Sequence, residues 1–213
     1  MSRLPLLLTL LAIFGVASVS TGTQAAKPEG ANNLATATFA GGCFWCVEKD
    51  FDHVPGVVET ISGYTGGSLK DPTYHKVTAG GTGHREAVRI MYDPNKVSYA
   101  TLLDVFWHSV DPTDGGGQFC DRGHSYETAV FFHTDEQRRL AEHSKRELTV
   151  AKVLPDPVVT PIEAASELYP AEDYHQDYYK KNPTRYALYR FSCGRDRRIS
   201  TVWGDSAHRG IKK

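Results

Sequence analysis

Gly41-Gly42-Cys43-Phe44-Trp45-Cys46 is the stretch whose residue types most clearly suit chemistry. It follows a short alternating run, Ala35 to Ala40, and opens a segment, Val47 to His53, with helical character that Pro55 ends. A cysteine there stands at the first turn of a helix, just past a glycine bend. The free amides and the dipole of that turn favour an anion. Cys43 is therefore expected to ionise more readily than an ordinary thiol, and the thiolate is the reactive form. Glycine lets another molecule approach the backbone closely. Phe44 and Trp45 set two apolar faces beside the sulfur, a wall suited to a small substrate with an apolar group. Further along, Tyr74, Glu86, Asp121 and Tyr126 each lie in a long loop or next to a strand end. A thiolate, a carboxyl group and two phenols suit reduction of an S–O bond. The carboxyl group gives the oxygen a proton and the phenols hold it.

These residues need a frame that brings them to one end of a sheet. Thr36 to Ala40 reads as a strand, Cys43 to His53 as a helix, and Val57 to Tyr64 as a second strand. Thr65 to Gly83 reads as a glycine-rich loop, a length that inside a compact domain is usually functional. Arg85 to Tyr92 alternates as a third strand. Ser98 caps a helix to about His108, with Leu102, Leu103, Val105 and Phe106 on its apolar side. Asp111 to Gly123 is a second glycine-rich loop, and Tyr126 to Phe132 a fourth strand. Thr134 or Asp135 caps a polar helix to about Val153. Pro157 to Ile162 reads as an edge strand because of its prolines, Glu172 to Lys180 as a short aromatic helix, and Arg185 to Lys213 as a basic, largely irregular tail. Strand, helix, strand, strand, helix, strand is the split βαβ order. It predicts an α+β protein: a ferredoxin-like two-layer sandwich with helices on one face of an antiparallel or mixed sheet.

The chain has 213 residues and a net charge of -1. That length fits one domain with an ample core, and the charge gives no basic field for nucleic acid. Arg3, the apolar run Leu4 to Val19 and the small residues around Ala25 and Ala26 read as a secretory signal peptide over 1–25, followed by one domain, 26–213, with its core about 36–194. Export to the periplasm or beyond is expected; a membrane tether through an uncleaved leader is the alternative, although the run is short for a span. All four cysteines (43, 46, 120 and 193) lie after the leader. Cys120 and Cys193 have no close cysteine neighbour, so the set lacks the paired spacing of a zinc module, and no metal is expected. A dithiol oxidoreductase built on Cys43-x-x-Cys46 is a rival reading, which the strand order and the two glycine-rich loops disfavour.

Several motifs in order resemble the A-type peptide methionine sulfoxide reductases. They are Gly42-Cys43-Phe44-Trp45 after a strand, Val54-Pro55-Gly56-Val57, Gly63-Tyr64-Thr65-Gly66-Gly67, Pro72-Thr73-Tyr74, Thr82-Gly83-His84 before Glu86-Ala87-Val88, and Tyr169 through Gln176. The resemblance spans roughly 36–194. It implies reduction of the S epimer of methionine sulfoxide, free or in proteins, with no cofactor. Cys43 matches the nucleophile, Glu86 the acid, Tyr74 and Tyr126 the phenols on the sulfoxide oxygen, Asp121 a nearby polar anchor, and Phe44 and Trp45 the methyl pocket. Cys43 becomes a sulfenic acid, a second cysteine resolves it, and a thioredoxin-like protein completes the cycle. The enzyme is expected to act as a monomer.

The chain departs from that pattern at Cys46, where Gly is common, at Cys120, where Asn is common, at His124-Ser125, and in its tail. The departures bear on which cysteine resolves. Cys193, on a tail able to reach the site, is the first candidate. Cys46, three residues from Cys43, is the alternative, and Cys120 beside Asp121 the third; a relay through two of them also fits. His175 reads as a wall of the site rather than a base.

Overall fold

The computed structural model describes Met1 and residues 33–212, and the expected leader lies outside the described residues. The chain runs β1 (Ala35–Gly41), α1 (Phe44–Asp52), β2 (Val57–Thr65), α2 (Tyr74–Thr78), β3 (Arg85–Tyr92), α3 (Tyr99–Trp107), β4 (Gly117–Gln118), β5 (Asp121–Arg122), β6 (Thr128–Phe132), α4 (Asp135–Ala151), β7 (Ile162–Ala164), β8 (Tyr169–Pro170), α5 (Tyr178–Lys181), α6 (Pro183–Cys193) and α7 (Arg195–Trp203). One sheet has the order β7-β6-β1-β3-β2-β8. β1 is antiparallel to β3 and β6, β2 is antiparallel to β3 and β8, and β7 alone is parallel to its neighbour. The protein is α+β with a mixed sheet.

Alternation along β1 and β3 produces two unlike faces. Ala37, Phe39, Val88 and Ile90 face a large core shared with Val47 and Phe51 of α1 and Leu102, Leu103 and Phe106 of α3. Phe39 is its centre, with ring centroids 5.3 Å from Phe51, 6.1 Å from Tyr99 and 4.9 Å from Phe106. The opposite face is small, made of Ala40, Ala87, Ala129 and Phe131 and covered by Ala165 and Leu168. The expected caps are in place. Ser98 Oγ accepts from the Thr101 amide and Thr134 Oγ1 from that of Gln137, each worth about 1 kcal/mol.

Several boundaries differ from the expectation. The loop over 65–83 carries α2. The fourth strand begins at Thr128, because Tyr126 belongs to a tight turn, His124–Tyr126. The strand expected over 157–162 forms instead at Ile162–Ala164, where proline no longer removes ladder amides. The helix expected over 172–180 is confined to Tyr178–Lys181, since Asp177 is left-handed at φ 54° and side chains bind the preceding backbone. Gln176, for example, bridges the Ser62 amide and carbonyl and the Ala171 carbonyl.

The tail is the largest correction: residues 183–203 form two helices rather than an irregular stretch. Pro183 opens α6, where its missing N–H costs nothing, and Gly194 at φ 74° separates α6 from α7. Ile199, Val202 and Trp203, at helical spacing, join the main core.

Candidate functional site

β1 delivers the site. The strand ends at Gly41, and Gly42 turns the chain at φ 82°, a region side chains rarely adopt. A Cβ on Gly42 would also lie 2.6 Å from the Gln118 Cβ. Cys43 follows at the head of α1, 7% exposed.

The first amide of α1, on Phe44, donates to Glu86 Oε2 at 2.9 Å. Glu86 comes from β3 beside Tyr64 of β2 and is 1% exposed. Burial, then the charges of Asp121 and Cys46, push its carboxyl well above the usual range; the Phe44 amide opposes this. A carboxyl so placed keeps its proton toward neutral pH. Tyr74 opens α2, where Glu172 accepts its amide at 2.9 Å. Tyr126 comes from the tight turn after β5; burial, then the charge of Glu86, pushes the Tyr74 and Tyr126 phenols up. Asp121 of β5 accepts a hydrogen bond from the Tyr189 hydroxyl of α6. Phe44 is buried, its ring 5.9 Å from Tyr64 and 5.0 Å from His175. Trp45 is half-buried. Its Nε1 donates to His175 Nδ1 at 3.0 Å, its face stacks on Tyr178 at 3.7 Å, and Tyr189 meets it edge-on at 5.7 Å. Burial lowers the His175 pKa, so its ring stays neutral and accepts from Trp45. Cys43, Glu86, Tyr74, Tyr126 and Asp121, from separate parts of the chain, thus converge on one end of the sheet.

A family model described as peptide methionine sulfoxide reductase matches residues 35–207. The chain belongs to the peptide methionine sulfoxide reductase family. Among curated proteins it is 54% identical over 168 residues to the peptide methionine sulfoxide reductase MsrA of Bacillus licheniformis, covering 79% of this chain and 93% of that one. It is 53% identical to the protein of the same name from Bacillus subtilis, covering 79% and 95%. Among solved structures it is similar to methionine sulfoxide reductase A of Corynebacterium diphtheriae (TM-score 0.63, 34% identity, 72% of this chain and 77% of that one). It is also similar to reduced Mxr1 of Saccharomyces cerevisiae (TM-score 0.65, 30% identity, covering 75% and 91%). The protein is an oxidoreductase of this family, which sets aside the zinc-module and Cys-x-x-Cys exchange readings.

The cysteines of this methionine sulfoxide reductase fall into two pairs. Cys120 and Cys193 form a disulfide, while Cys43 and Cys46 are free and buried. Cys193 therefore stands at the end of a helix bonded to Cys120, not on a loose tail. Cys120 is an exposed disulfide partner, not a buried thiol. Cys120, Asp121 and Cys193 place ligand atoms within 4.8 Å of one another, but sulfurs bonded to each other offer no thiolate for a metal.

The two free thiols lie three residues apart at the head of α1 and shift each other's ionisation. Burial, then the neighbouring Cys46 and the charge of Glu86, push the Cys43 thiol up rather than down, contrary to the helix-terminus expectation; Tyr189 opposes this. The Cys46 thiol is lowered to about 7, first by the neighbouring Cys43 and then, against burial, by Arg195 and Arg190. The pair's first negative charge thus rests on Cys46.

Those arginines come from α6 and α7, where the sequence reading expected a basic, largely irregular tail. Arg190 Nη1 donates to Asp50 Oδ1 at 2.8 Å and to the Tyr186 hydroxyl at 2.9 Å. Arg195, 1% exposed, donates to the carbonyls of Gly41 at 2.9 Å and Ser109 at 2.7 Å. Its guanidinium lies 4.8 Å over the Phe119 ring. Tyr186, Tyr189, Arg190 and Cys193 recur at spacings of three and four, a helical signal hidden because the buried positions are polar.

Proposed function

We propose that this reductase converts the S epimer of methionine sulfoxide, free or in proteins, to methionine, with Cys43 taking the oxygen. The observation that carries this reading is the Glu86 carboxyl, buried and biased toward its protonated form, bonded to the helix amide next to Cys43. Phe44 and Trp45 receive the methyl group. Tyr74 and Tyr126 hold the sulfoxide oxygen, Glu86 gives it a proton, and Asp121 anchors the polar side. Cys43 passes its proton to the Cys46 thiolate, three residues on, and attacks the sulfoxide sulfur as the stronger nucleophile of the pair. The net step is Cys43–SH plus sulfoxide to Cys43–SOH plus methionine.

Cys46 then attacks the Cys43 sulfenic acid, forming a Cys43–Cys46 disulfide and releasing water. The thiol of Cys193 exchanges into that bond, and Cys120 closes the final disulfide. Cys46 goes first because it is free and stands three residues from Cys43 at the head of the same helix. An exposed terminal disulfide is open to an external dithiol, in keeping with a thioredoxin-like reductant and no prosthetic group. The strand order β6-β1-β3-β2, all antiparallel, supports the finer description of the scaffold as a ferredoxin-like sandwich.

The test is single-turnover reduction by fully reduced protein without added thiol, each epimer offered separately. Methionine is expected from the S epimer alone, and none from Cys43→Ser. Equal turnover of the R epimer, or of neither, contradicts the assignment.

A further inference from the structure

Tyr189 lies outside the set of groups assigned above to the reaction, yet it acts on three of them. Its hydroxyl bonds the Asp121 carboxylate, and it favours the Cys43 thiolate, opposing the effect of burial on that thiol. Its ring meets Trp45 edge-on. Those are the groups that would attack the sulfoxide, anchor its polar side and receive its methyl group. Tyr189 stands one helical turn before Cys193 on α6, so both side chains leave the same face. The Cys193 sulfur lies 3.9 Å from the same Asp121 oxygen that Tyr189 bonds. Cys120, the residue before Asp121, is tied to Cys193. The disulfide therefore clamps the end of α6 against β5 with the phenol seated in the site. Beyond Cys193 the joint to α7 is Gly194, at φ 74°.

We propose that Tyr189 is a positioning residue that couples the Cys120–Cys193 bond to substrate access: with the disulfide closed its phenol fills the sulfoxide's place beside Cys43, and with the disulfide open it withdraws. The inference rests on the reductase reading of Cys43. The consequence is an ordered cycle. A molecule that has finished its thiol relay admits no second sulfoxide until an external dithiol opens the terminal disulfide. Cys43, restored to the thiol by then, is shielded from over-oxidation meanwhile.

The test compares one turnover of methionine S-sulfoxide in two states of the full chain. Every arm carries Cys46→Ser, which prevents the disulfide from migrating to the Cys43–Cys46 pair. One sample is reduced with a phosphine that is then removed. The other is treated with diamide, which takes two electrons and two protons from Cys120 and Cys193. Alkylation mapping verifies that Cys43 alone is free in the second. The closed form is expected to bind and turn over sulfoxide about thirtyfold less well, the loss that follows when only a few per cent of molecules are binding-competent. Tyr189→Ala is expected to bring the closed form to within about threefold of the open one by the same relation. A closed form as fast as the open form overturns the proposal without any change at Tyr189. A closed Tyr189→Ala protein that stays slow overturns the role of the phenol. Cys46→Ser slows open and closed forms alike, so their ratio is the readout; if reduced protein with Cys46 intact, run alongside, makes no methionine, the reductase reading itself has failed.

Discussion

Glu86→Gln is expected to slow single-turnover reduction of the S sulfoxide by about 10²–10⁴ at neutral pH, the usual contribution of a positioned general acid. Gln keeps the shape of the side chain and an oxygen for the Phe44 amide, so α1 and Cys43 should stay in place. It has no comparable proton to give to the departing oxygen. A fall of that size raises the barrier by about 3–5 kcal/mol, far beyond the ~1 kcal/mol of one ordinary hydrogen bond. A drop of only a few-fold would therefore mean that Glu86 orients and does not donate.

The same residue predicts a pH effect on folding. Burial raises the Glu86 pKa in the native state, whereas the unfolded carboxyl titrates near its ordinary value, about 4.3. Between those two values the native protein binds the extra proton. Stability from this group is thus full below the unfolded pKa and is lost as pH rises through the native one. Glu86→Gln should remove that slope, and urea midpoints across the pH range test it.

Asp50→Asn should cost about 3–5 kcal/mol of stability, the penalty for removing one partner of a buried ion pair. Asp50 is 2% exposed and is the fully buried carboxylate shared by two buried guanidiniums. Arg190 binds it through both Nη atoms, and the Arg195 Nε lies 3.8 Å away. Arg190 keeps Asp196, and Arg195 keeps its carbonyls, which places the loss in the range and not above it. A surface pair such as Arg138–Asp135 is worth only about 0–1 kcal/mol, so Asp135→Asn is the matched control. The urea midpoint should fall with the slope unchanged. Equal small shifts in both variants would mean that the cluster does not hold α6 and α7 to α1.

These arginines mark the limit of what the sequence made legible. β1, α1, β2, β3 and α3 could be read within a residue or two, because alternation in ATATFAG and REAVRIMY and the Ser98 cap are local signals, whereas the short α2 was missed. α6 could not, since its buried positions are Tyr186 and Arg190 and no apolar stripe reveals them. Cys43, Glu86, Tyr74, Tyr126 and Asp121 were visible as residues beside strand ends and glycine loops. Their surroundings were not. The partner of Cys193 depends on where α6 docks, which spacing does not encode. The expectation of an activated Cys43 counted the helix amides but not the burial of the thiol or its neighbours Cys46 and Glu86. Tyr189 was hidden for the same reason as Cys193, being placed by tertiary docking alone.

The most direct test of the account is where the sulfoxide's oxygen goes. A variant with Ser at positions 46, 120 and 193 retains Cys43 alone and cannot form an internal disulfide. Offered one equivalent of methionine S-sulfoxide, it should release one methionine and gain one oxygen as the Cys43 sulfenic acid; dimedone converts that acid to a thioether with loss of water, and peptide mass mapping locates the adduct. Methionine released with Cys43 unmodified, or the oxygen found on another residue, would contradict Cys43 as the atom that accepts it.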